Sequence, residues 1–75
     1  MSIFPFANPP SFVPLNIQSR AIRTATYDVT TGTLIITFKT GKAYTYNKVP
    51  PSVIAQFESA PSAGAYYDRR IKGRY

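Results

Sequence analysis

Residues 33 to 38 carry the clearest pattern in the chain. Leu34, Ile36 and Phe38 alternate there with other side chains, and a period of two places them on one face of a strand. Residues 21 to 27, rich in Thr and Tyr, predict a strand before it. Residues 43 to 47 predict one after it, with Tyr44 and Tyr46 sharing a face. The connections are short. Asp28-Val29-Thr30-Thr31-Gly32 has a turn composition, and Lys39-Thr40-Gly41-Lys42 is a hairpin loop with Gly41 free to take a positive φ. Three strands joined this way favour an antiparallel meander.

From Val49 the period changes. Pro51 suits the first turn of a helix, and Val53, Ile54, Phe57 and Ala60 recur at helical spacing to give one apolar stripe. Pro61 stops that helix. Ser62 is placed to cap a second one, on which Tyr67 and Ile71 stand four apart and which Gly73 ends. The expected fold is α+β: a three-stranded antiparallel meander followed by two short helices packed on one face.

Residues 1 to 19 do not fit this scheme. They hold no charged side chain but contain Ile3, Phe4, Phe6, Phe12, Val13, Leu15 and Ile17, with four prolines among them. Proline at this density forbids a regular helix and disfavours a central strand. An extended, Pro-rich N-terminal arm is expected over residues 1 to 19, ahead of a domain over 20 to 75. An apolar arm avoids water, so it lies either on its own domain or on another chain.

Composition narrows the chemistry. Seventy-five residues allow one small domain. The chain has no His, no Cys and no Trp, which excludes imidazole acid–base work, thiolate nucleophiles, disulfides and cysteine-type zinc sites. Asp28, Glu58 and Asp68 are the only acids and stand far apart, leaving little for a carboxylate pair or a calcium site. No enzyme activity, metal, cofactor or small-molecule substrate is expected. A domain this size is marginal, and its six tyrosines and five phenylalanines supply packing area economically. No apolar run is long enough to span a membrane. The start lacks the basic, helix-competent pattern of a signal peptide. Residence in the cytoplasm, or within a phage particle, is the expectation.

The run Ile22…Tyr27-Asp28…Leu34…Phe38…Gly41…Tyr44-Thr45-Tyr46…Val49-Pro50…Val53…Phe57…Ala60-Pro61-Ser62…Gly64…Tyr67…Ile71…Tyr75 resembles the KTSC domain, named from the C-terminal extension of some bacterial lysyl-tRNA synthetases and also found alone in bacterial and phage-encoded proteins. The resemblance covers residues 19 to 75. Tyr67 stands where the family often has Phe, and the arm lies outside the family pattern. The synthetase context implies RNA binding.

Nine Lys+Arg against three Asp+Glu give a net charge of +6. Lys39, Lys42 and Lys48 flank the hairpin and its end, and Arg69, Arg70, Lys72 and Arg74 crowd the C-terminus. They are candidate phosphate contacts, or a solvated surface that keeps an aromatic-rich protein soluble. Tyr44 and Tyr46, after Gly41 and Lys42, could stack bases or face a helix-covered core. The preferred function is a non-catalytic docking or structural module that anchors to a larger protein assembly, such as a phage particle, through Ile3, Phe4, Phe6, Phe12, Val13 and Leu15. The alternative is an RNA- or other nucleic-acid-binding module that uses the basic residues and strand tyrosines.

Overall fold

A computed structural model describes residues 11–75. The predicted meander is present as β2 (Ile22–Asp28), β3 (Thr33–Phe38) and β4 (Ala43–Tyr46). Two helices follow, α1 (Pro51–Ser59) and α2 (Ala63–Arg70). A further strand, β1 (Val13–Pro14), precedes the meander and pairs antiparallel with β2, so the sheet has four strands in the order β1-β2-β3-β4. The fold is α+β as expected, with one strand more than the three predicted.

Register across β3 decides which side chains face the helices. Leu34 stands opposite Tyr27 on one side and Tyr46 on the other, while Ile36 stands between Ala25 and Tyr44. Directly opposed residues share a face. Leu34, Ile36, Ala25, Tyr27 and Tyr46 are all buried. The predicted strand over 21 to 27 is not uniform, because its register shifts between Ile22 and Thr24. Without that shift, alternation from Ala25 would turn Ile22 to the open face. The irregularity brings Ile22 opposite Phe38 and into the core.

The helices close over this face. Pro51 begins α1 as predicted, and Ile54 and Phe57 are its buried residues. Ser62 caps α2, its Oγ accepting from the Ala65 N–H at 3.3 Å. Phe57 stacks on Tyr66 with ring centroids 5.9 Å apart, which ties the helices to each other. The Tyr66 hydroxyl donates to Gln56 Oε1 at 3.0 Å. Ile71, just past α2, is fully buried.

Two connections lock together beside the sheet. The Gly32 carbonyl accepts from the Val49 N–H at 2.9 Å, and the Tyr27 hydroxyl donates to the Val49 carbonyl at 2.6 Å. Gly32 has φ +75°, and a Cβ there would sit 3.1 Å from the Lys48 Cα. Both facts require glycine. Lys48 itself has φ 57°, a left-handed conformation that turns the chain out of β4 toward α1.

The arm divides. Leu15 N–H donates to the Ala25 carbonyl at 2.8 Å, and Asn16 N–H to Glu58 Oε2 at 2.9 Å. Leu15 and Ile17 pack against the hydrophobic core. The compact unit therefore reaches back to residue 13, ahead of the boundary expected at residue 20. Leu15, read as an anchor for a partner, is half-buried and packs against its own domain's core. Phe12 is half-buried, and Val13 is 58% exposed. The anchors Ile3, Phe4 and Phe6 lie outside the described residues.

Asp28 is a buried acid. Its Oδ1 accepts from the Thr30 hydroxyl at 2.6 Å and the Thr30 N–H at 2.9 Å. The Thr30 hydroxyl bond is the largest cause holding this carboxyl below its ordinary value of 3.8, with further lowering from backbone bonds to Thr30 and Ser11 and against the opposing effect of burial. A carboxyl depressed on folding contributes stability above its unfolded pKa, and that stability is lost as pH falls through the folded value. Thermal melts should therefore show the midpoint dropping below about pH 4. Asp28→Asn should lower the midpoint at neutral pH and flatten this acid limb. A limb of unchanged steepness in the variant would show that other groups carry it.

Candidate nucleic-acid interface

The core face of the sheet is not covered along its whole length. Toward the β3–β4 hairpin it opens into a cleft of about 830 Å³. The hairpin supplies Phe38, Lys39, Lys42, Tyr44 and Tyr46. Helix α2 supplies Gly64, Tyr67 and Asp68, Lys72 follows it, and Arg20 and Ala21 come from the chain ahead of β2. Four cations and one carboxylate thus surround a ring-lined surface. A smaller cleft of about 350 Å³, between residues 16 to 18 and the α1–α2 junction, is lined by Glu58 and by no cation.

The rings form a continuous edge-to-face series. Tyr44 meets Phe38 at 5.7 Å and 74°, Phe38 meets Tyr67 at 5.2 Å and 69°, and Tyr67 meets Tyr46 at 5.9 Å and 67°. Such geometry sets the positive edge of one ring against the negative face of the next. Exposure falls along the series, from 46% at Tyr44 to 7% at Tyr67 and 9% at Tyr46. The two buried tyrosines share a hydrogen bond between their hydroxyls. Burial, and then that bond, raise the Tyr67 hydroxyl far above the ordinary phenol range. The Tyr67 hydroxyl is therefore a hydrogen-bond donor and not a phenolate nucleophile.

Alternation put Tyr44 and Tyr46 on one face, and they do share it. Their burial differs: Tyr46 packs against Tyr67 of α2, whereas Tyr44 meets Phe38 of β3 and stays exposed. Lys72, far from Lys39 and Lys42 in sequence, meets them around the cleft. Lys48, Arg69, Arg70 and Arg74 do not line it. The Arg74 Nε instead donates to the Arg69 carbonyl at 3.2 Å. Sequence reasoning missed Arg20 and Asp68. Arg20 sits where the arm gives way to β2 and belongs to no periodic face. Asp68 follows Tyr67 on α2, and this adjacency was the available signal. Among the described residues, no three His, Cys, Asp or Glu gather into a metal-holding group. No helix among them is long and apolar enough to cross a membrane.

Residues 18–75 match the family pattern described as the KTSC domain. This chain belongs to the KTSC family. A crystal structure of a KTSC domain protein from Yersinia pestis superposes with a TM-score of 0.79 at 31% identity, covering 85% of this chain and 90% of that one. The domain is also 38% identical, over 65 residues, to a lysine–tRNA ligase of Nostoc punctiforme, and 37% identical over the same length to one from Trichormus variabilis. Those alignments take in 87% of this chain and only 12% of each ligase. A protein of Tsukamurella paurometabola is 34% identical over 59 residues, with 88% of its length covered. The KTSC domain is thus similar both to a small portion of large proteins and to nearly the whole of small ones.

The tyrosines divide by what their removal does to the fold. Tyr44→Ala should cost about 1 kcal/mol, the scale of one edge-to-face contact. Tyr46→Ala should cost about 3–5 kcal/mol, since it empties a core site and orphans the Tyr67 hydroxyl. Urea unfolding of both variants checks this, and equal losses would contradict the separation into surface and core.

Proposed function

We propose that this KTSC domain is a non-catalytic module that binds single-stranded RNA in the cleft between the β3–β4 hairpin and α2. The observation carrying the reading is the meeting of Arg20, Lys39, Lys42 and Lys72 around the exposed ring of Tyr44. Cations that track a phosphate backbone beside an aromatic face on which a base can stack are the two components of sequence-tolerant single-strand binding. The net charge of +6 favours encounter with a polyanion. Similarity to part of proteins named lysine–tRNA ligase adds support, because such proteins act on RNA.

Docking through the arm is the second reading. Its support is Val13, exposed on the edge strand of the sheet, and the similarity to a segment of larger proteins. It is the weaker of the two because Leu15 and Ile17 are already used by the domain's own core. The relatives named above include no phage component.

Fluorescence anisotropy with a labelled single-stranded oligoribonucleotide tests the RNA reading. Affinity should fall with salt at a log–log slope no steeper than about −3, from about 0.7 per phosphate contact and four cations. Lys42→Gln should flatten that slope by about 0.7. Arg74→Gln, outside the cleft, should change it less. Salt-independent binding, or none at about 50 mM salt, would overturn the proposal.

A further inference from the structure

The buried hydroxyls of Tyr46 and Tyr67 have one proton more than their shared bond uses. Two phenols carry two O–H donors, and the bond between them consumes one. Among the described residues, no other group is hydrogen-bonded to either hydroxyl, although both residues are more than nine-tenths buried. The other buried tyrosines differ. Tyr27 donates to the Val49 carbonyl and Tyr66 to Gln56 Oε1. Each hydroxyl thus has one partner, and the proton left over is free for a group that enters the space beside them. Tyr46 and Tyr67 both line the cleft, so an outside partner reaches them there.

The surroundings define that partner. Phe38, Tyr44 and the two tyrosine rings line the cleft, a poor place for a phosphate, while the lysines and Arg20 are exposed and able to hold one. An acceptor that enters a ring-lined space is best carried on a ring of its own. We infer that the spare hydroxyl proton of the Tyr46–Tyr67 pair donates to a carbonyl oxygen of a single unstacked nucleobase lying in the cleft against Tyr44. This deepens the RNA reading and rests on it. Tyr44 supplies the stacking face, the cations supply affinity for the strand, and the hydroxyl pair checks for an acceptor. The raised Tyr67 hydroxyl keeps that donor in place across the pH range of RNA work.

The test compares two hexamers bound to the full chain: oligouridylate, and a hexamer whose bases are 2,4-difluorotoluene, which keeps the ring's shape but lacks carbonyl acceptors. The unmodified chain should bind oligouridylate about tenfold more tightly, the scale of one hydrogen bond. Tyr46→Phe/Tyr67→Phe should bind both hexamers alike. Removing both partners of a buried polar pair can leave stability nearly unchanged, and the ligand-side comparison stands even if this variant fails to fold. Equal binding of the two hexamers by the unmodified chain would mean that water takes the proton and would overturn the inference while leaving the RNA reading intact. Failure to bind either hexamer at low salt would overturn both.

Discussion

Everything in this domain depends on the register of β3. Leu34, Ile36 and Phe38 point one way, and their partners on β2 and β4 point with them. A slip of one residue would send this set to the open face, leaving α1 and α2 only Ile35, between Thr33 and Thr37, to cover on this strand. The core is small, so it tolerates little loss of that set. The register is secured at both ends. At one end the Asp28 turn carries Gly32, which fixes Val49 and the start of α1. At the other, Gly41 N–H donates to the Phe38 carbonyl and Phe38 N–H to the Lys42 carbonyl, closing the hairpin.

The same face serves two ends. Where the helices lie over it, Leu34, Ile36 and Tyr46 are excluded from water. Beside Tyr67 the row continues into Phe38 and Tyr44, and what would have been core becomes the wall of a cleft. The cations collect there for topological reasons. A hairpin loop is exposed and polar, the C-terminal end of a helix favours basic residues through its dipole, and both lie at this end of the sheet. Lys39 and Lys42 come from the first source and Lys72 from the second.

How much of this can be read from the chain alone follows from how local each determinant is. The three long strands, both helices, the Ser62 cap and the hairpin glycine are set by neighbours a few residues away, and periodicity reveals them. Strand β1 is not legible, since two residues carry no period. Pro14 argues against pairing until an edge position removes the need for its missing N–H. The irregularity at Arg23 is invisible because either register satisfies local propensity, and only burial of Ile22 chooses between them. Tyr44 and Tyr46 are identical by alternation, and the reach of α2, a tertiary fact, separates them. The basic residues are legible as a charge total but not as a site. Lys39, Lys42 and Lys72 converge, whereas Arg69, Arg70 and Arg74, next to Lys72 in sequence, do not line the cleft.

Tyr67 joins the two halves of the picture. Its ring packs edge-on against Phe38 and Tyr46, and the same residue lines the cleft. Phe would fill the same core volume without presenting a polar group to the cleft. Tyr at this position places a donor where the core gives it one partner, Tyr46, while the pair still needs another. A hydroxyl pair with no base beside it is poorly suited to nucleophilic chemistry, and well suited to recognition. In so small a domain a single side chain must complete the core and face the ligand together, so the chemistry of the cleft and the stability of the fold cannot be tuned independently at this residue.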